Sequence, residues 1–92
     1  MEFRQLITFT SVAQYGGFTV AAKHLHIAQP AVSAQIRALE RELGVRLFDR
    51  TTRRVRLSRA GEVLLTRALA ITEHVTAARA DLAELTSVVT GE

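Results

Sequence analysis

Apolar residues in this chain recur at helical spacing along most of its length, and the interruptions mark where one helix gives way to the next. Between Glu2 and Gln14, the residues Phe3, Leu6, Phe9, Val12 and Ala13 form a single stripe, with Arg4, Gln5 and Gln14 outside it. This predicts a scaffold helix. Gly16 and Gly17 stop it, because glycine accepts the left-handed cap that closes a helix. Thr19 then stands where it can cap a second, short helix over Val20 to His26. Within that helix Ala21 and Ala22 permit close approach of another helix, while Leu25 and Ile27 point toward a core.

A third helix follows after a joint of only Ile27 to Gln29, and Pro30 marks its first turn, where a missing N–H costs nothing. Two helices joined so tightly cross steeply, as in a helix-turn-helix. On a wheel of about 100° per residue, Val32, Ile36, Leu39 and Leu43 fall together and are expected to face inward. Pro30, Ala34, Arg37 and Arg41 fall opposite, with Ser33 at the edge. The outer face is therefore small near its start and cationic further on, which suits a helix whose first turns enter a groove about 12 Å wide. Gly44 ends this helix.

Beyond it, Leu47 to Arg50 and Val55 to Leu57 alternate apolar with charged residues around a Thr51 to Arg54 tip, predicting a short β-hairpin. Ser58 is the next N-cap, and Glu62 complements the dipole of the helix it opens. No breaker intervenes before Gly91. Leu64, Ala68, Ile71, Val75, Ala78, Leu82, Leu85 and Val89 are separated alternately by four and three residues, a heptad seam. At about 1.5 Å per residue this last helix is about 48 Å long, too long for the small preceding core to cover. Its far half calls for a second copy of the chain.

Composition narrows the class. With 92 residues, 48% of them hydrophobic and 23% charged, the chain is one small globular unit. It has no Cys, which excludes disulfides, thiolate metal sites and cysteine nucleophiles. No stretch has the length and apolarity of a membrane span, and the expected location is cytoplasmic. Although the formal net charge is only +3, its distribution is uneven. Six arginines stand against Asp49 between Arg46 and Arg59, whereas two arginines face five acids from Ala60 onward. Cationic charge concentrated in this way fits a polyanion-binding surface joined to a solvated helix, and arginine favours forked contacts to phosphate or guanine. Histidines 24, 26 and 74 make no acid-base pair or metal constellation in sequence, which argues against an enzyme. A coiled-coil interaction module whose basic head binds an acidic partner is the alternative. It accounts for the seam and the arginines but leaves the small outer face of helix three without a purpose.

The run AAKHLHIAQPAVSAQIRALERELGVRLFDR, followed by LSRAG and a long helix, resembles the N-terminal domain of LysR-type bacterial transcriptional regulators. The resemblance covers essentially the whole chain. It implies a mainly α fold: a winged helix-turn-helix of three helices and a β-hairpin over residues 1–58, a linker helix for dimerisation over 59–90, and the start of a hinge at 91–92. It further implies a homodimer on double-stranded DNA carrying an interrupted inverted repeat, with a tetramer open to a longer protein. A small effector is expected only on a following domain, so no cofactor is expected in this part.

Carried onto this chain, the resemblance implies that Gln29, Pro30 and Ser33 meet base edges or nearby backbone at the start of helix three, and Ala31, Ala34 and Arg37 join them as candidate DNA contacts on that helix. Thr19 is a candidate phosphate donor at the start of helix two. Arg50, Arg53 and Arg54 belong to the hairpin, Arg53 matching the position that reaches toward the minor groove. Two residues depart from the family pattern. Ala34 replaces a larger polar reader and offers only a methyl group, and Ala28 lacks the serine hydroxyl that commonly caps helix three. The implied dimer interface is the heptad seam from Leu64 to Val89.

Overall fold

The computed structural model describes residues 1–49 and 55–90, the last four of these by backbone alone. Along the chain run α1 (Phe3–Tyr15), α2 (Phe18–Leu25), α3 (Gln29–Leu43), β1 (Phe48–Asp49), β2 (Arg56–Leu57) and α4 (Arg59–Thr90). The first three helices pack on one another, and the start of α4 lies against α1. The far half of α4 extends away from this body, giving a molecule 57 Å long and 25 by 19 Å across.

The apolar stripes become one core of Leu6, Phe9, Val12, Ala21, Ala22, Val32, Ile36, Leu39, Leu47, Phe48 and Ala68. Ala21 is fully buried and Ala22 nearly so, since a larger side chain at either position would hold α2 away from its neighbours. Thr8, also buried, donates from its hydroxyl to Gln35 Oε1 and ties α1 to α3. The hairpin has two-residue strands, paired antiparallel as Phe48 with Leu57 and Asp49 with Arg56. So short a ladder is marginal by itself. Phe48 anchors it, with its ring 5.4 Å from that of Phe9 and 5.7 Å from that of Phe18. Full burial of such a ring is worth about 1.5–3 kcal/mol, more than the ladder itself offers.

Helix ends follow the expected chemistry in most places. Gly16 and Gly44 take the left-handed conformation at φ 78° and 72°, and Ser58 Oγ accepts from the Gly61 N–H at 3.0 Å. Four expectations need correction. The N-cap of α2 is Gly17, so Thr19 lies inside the first turn and caps nothing. Leu43 has the right wheel angle to face inward but is 38% exposed, because the last turn of α3 runs past the end of the core. Ile27 is equally exposed, and Leu25 is only half-buried. The seam positions Leu64 and Ala68 pack into this domain's own core, Ala68 completely.

The α2–α3 turn closes on His26, whose φ of 59° places a non-glycine residue in the left-handed region. The Ile27 N–H reaches the Ala22 carbonyl at 3.1 Å and the His26 N–H reaches that of Lys23 at 3.3 Å. These are the paired bonds of a Schellman cap, here closed without glycine.

Gly61, in the first turn of α4, is buried against the loop leading into β1. A Cβ at this position would lie 2.1 Å from the Leu47 carbonyl oxygen and 2.8 Å from Leu57 Cδ2. Helix propensity favours alanine over glycine by about 1 kcal/mol, but forced overpacking costs about 1–3 kcal/mol or more. Gly61→Ala is therefore expected to lower the urea-unfolding midpoint; an unchanged or raised midpoint would show that the approach is looser than described.

Candidate nucleic-acid interface

Helix α3 presents the candidate surface. Its inner face is fixed by Val32, Ile36 and Leu39, all fully buried. That burial turns Gln29, Pro30, Ala34, Arg37 and Arg41 outward, and all five are exposed. Ser33 is half-buried at the edge, as the wheel predicts. Ala31 is also half-buried and lines a hollow with Ile7, Leu25, Ile27 and Gln35, on the side where α1 and α2 meet α3. Ala28 stands at the N-cap with extended backbone and no side-chain cap, Pro30 has no N–H to satisfy, and the Ala31 and Val32 N–H groups both donate to the Ala28 carbonyl, at 3.0 and 3.3 Å.

Two side chains of this face are already organised. Gln29 Nε2 donates to Ser33 Oγ at 2.7 Å, one turn along the helix. The bond leaves the Gln29 carbonyl oxygen, its second N–H and the Ser33 hydroxyl proton available to a ligand. Ala34, one turn after Pro30, adds a flat apolar spot between them and Arg37. The surface can thus offer donors, an acceptor and a methyl group at its start, and guanidinium forks further along.

The junction after α3 sets where the hairpin stands. Glu40 is buried and accepts the Leu47 N–H at 2.8 Å through Oε2. Leu47 in turn gives its carbonyl to the Ser58 N–H at 2.9 Å, and the Ser58 hydroxyl donates to the Arg46 carbonyl at 2.5 Å. One residue thereby links the end of α3, the entry to β1 and the start of α4. Sequence reasoning missed Glu40 in this role, although it sits beside the inward stripe on the wheel. Arg50, Arg53 and Arg54, the expected hairpin contacts, lie outside the described residues, as do Gly91 and Glu92.

The remaining candidate chemistry is dispersed. Thr19 is exposed at the second residue of α2. His24 stacks on Tyr15 with ring centroids 3.8 Å apart, His26 closes the turn, and His74 is exposed on α4. Among the described residues no group of three or more His, Cys, Asp or Glu is placed to hold a metal, and no helix is long and apolar enough to cross a membrane.

A family model described as "Bacterial regulatory helix-turn-helix protein, lysR family" matches residues 3–62. The chain belongs to the lysR family. This lysR-family chain is 54% identical over 65 residues to the HTH-type transcriptional regulator TfdT of Cupriavidus pinatubonensis, covering 71% of the chain and 28% of TfdT. It is 46% identical over 91 residues to an HTH-type transcriptional regulator in the ibpB-leuC intergenic region of Azotobacter vinelandii, covering 99% of the chain and 63% of that protein. The chain thus spans less than two thirds of either relative, and each is named as a regulator rather than an enzyme.

Among solved structures, the lysR-family fold here is similar to the BenM DNA-binding domain in complex with catB site 1 DNA, with a TM-score of 0.90 and 36% identity over 95% of this chain and 98% of that one. The CbnR DNA-binding domain in its DNA complex gives a TM-score of 0.81 at 40% identity, over 95% of this chain and 99% of that one.

Proposed function

We propose that this chain is the DNA-binding part of a homodimeric transcriptional regulator and that it reads double-stranded DNA through α3. The observation that carries the reading is the outer face of that helix: small and hydrogen-bonding at Gln29, Pro30, Ser33 and Ala34, cationic at Arg37. A major groove about 12 Å wide admits such a helix end-first, with base edges against the first turns. Ala34 then meets a thymine methyl, and Gln29 with Ser33 meets a base edge or the adjoining backbone. Thr19, in the first turn of α2, donates to a phosphate. Arg50, Arg53 and Arg54 add contacts from the hairpin, affinity more than sequence choice. The DNA complexes of the similar BenM and CbnR domains support this reading, and such a protein acts in the bacterial cytoplasm.

The dimer in this proposal forms along α4. Leu82 and Leu85 are 64% and 63% exposed, and Ile71 is 39% exposed; with Val75 and Ala78 they continue one seam. Val89 completes it in sequence, its side chain lying outside the described residues. Covering each such leucine is worth about 1.5–3 kcal/mol, and a two-fold copy of the same helix presents the matching face. Because Leu64 and Ala68 serve this chain's own core, the interface we propose starts near Ile71. Two α3 helices related in this way suit an interrupted inverted repeat. Effector binding and any tetramer belong in this proposal to a longer protein.

A dimer that sets four to eight cations on phosphates gives a slope of log K against log salt of roughly −4 to −7. Duplex binding indifferent to salt contradicts the proposal. Leu82→Asp, at a position solvated in the single chain, is expected to leave the fold intact and to give monomers in sedimentation; persistence of the dimer places the interface elsewhere.

A further inference from the structure

The far end of α3 and the turn after it carry two further cations, Arg41 and Arg46, to which the base-reading surface gives no role. Arg37 and Arg41, one helical turn apart, and Arg46, returned by the left-handed turn at Gly44, surround an open hollow of about 410 Å³ completed by Glu40, Gly44 and Val45. All three arginines are exposed, and among the described residues none is paired with a carboxylate. Glu40, the single acid lining the hollow, directs Oε2 to the Leu47 N–H. Like charges one turn apart disfavour a helix by a few tenths of a kcal/mol. Three forked donors around one concave surface match the oxygens of a phosphodiester.

We propose that Arg41 and Arg46 grip a backbone phosphate of the DNA strand flanking the groove that α3 enters, with Arg37 bridging from the base-reading turns. The inference rests on the reading of α3 as the duplex-facing helix. Arg41 lies on the same outer face as Pro30 and Ala34, two turns beyond Ala34, so it passes the base edges and comes level with the phosphate ridge. Arg46 stands just before Leu47 and β1, on the flank that leads from α3 to the hairpin. A backbone contact made from the end of a recognition helix fixes register without reading sequence. An acidic polypeptide is the competing occupant, but it has no reason to lie in line with the outer face of α3.

The test is a salt titration of binding to a mixed-sequence 40-base-pair duplex by the unaltered chain, by Arg41→Gln/Arg46→Gln, and by Arg67→Gln/Arg79→Gln as a charge-matched change on α4. With each lost phosphate contact removing about 0.9 from the slope, the first variant of a dimer is expected to bind several-fold more weakly with a slope shallower by roughly 2–4. The α4 variant is expected to stay near the parent. An unchanged slope in a folded Arg41→Gln/Arg46→Gln protein overturns the inference, and so does an equal loss in the α4 variant. Weakened binding to polyglutamate with unchanged duplex binding overturns it in favour of the acidic polypeptide. If the unaltered chain shows no salt-dependent duplex binding, it is the reading of α3 itself that fails.

Discussion

The backbone of Leu47 is the point on which the geometry of this domain depends. Its N–H is held by the buried Glu40 carboxylate, its carbonyl receives the Ser58 N–H, and the same carbonyl oxygen lies where only a glycine at position 61 leaves room for it. The end of α3, the hairpin and the start of α4 are thereby fixed relative to one another by a few short polar contacts around fully buried Leu47 and Phe48 side chains. A buried backbone group left without its partner costs about 1–3 kcal/mol, a large fraction of the stability of a domain this size. The proposed DNA surface and dimer helix are both aimed from this junction.

Helix α3 shows how the two requirements divide one element. Its buried stripe against α1 and α2 is apolar and admits no change of angle, and the outward face is consequently free to carry chemistry rather than packing. Small residues at the first turns let the backbone approach a ligand, the Gln29 to Ser33 bond limits how those two side chains present themselves, and the arginines follow where bulk no longer matters. Helix α4 divides differently, along its length: its first turns belong to the core through Leu64 and Ala68, and its later turns offer an apolar seam to solvent.

What could be read from the sequence was whatever depends on periodicity and on residues with a single structural use. Stripes of apolar residues located α1, α3 and α4; Gly16, Gly44 and Ser58 marked their ends. Contacts between distant segments were not legible. Nothing in the sequence sets Gly61 or Glu40 apart from their neighbours until Leu47 is seen against them, and the left-handed turn at His26 carries no glycine to announce it. The seam misled at Leu64 and Ala68 because a heptad pattern records that a face is buried, not by what. Thr19 misled because a cap preference is local, and the chain entered α2 two residues earlier through Gly17. Of the candidate surface, Pro30, Ser33, Ala34, Arg37 and Arg41 were found by their wheel angle and Gln29 through the family resemblance, whereas the hollow at Arg46 needed the chain reversal at Gly44 to appear.

Selection of bound duplexes from a random pool asks at once whether α3 reads bases and whether two copies do so with two-fold symmetry. Two short arms in inverted orientation are expected to be enriched, their centres separated by about one helical turn, some 10 base pairs, or a multiple of it. Failure to enrich any sequence, or enrichment of a single unsymmetrical site, would contradict two-fold base reading by α3.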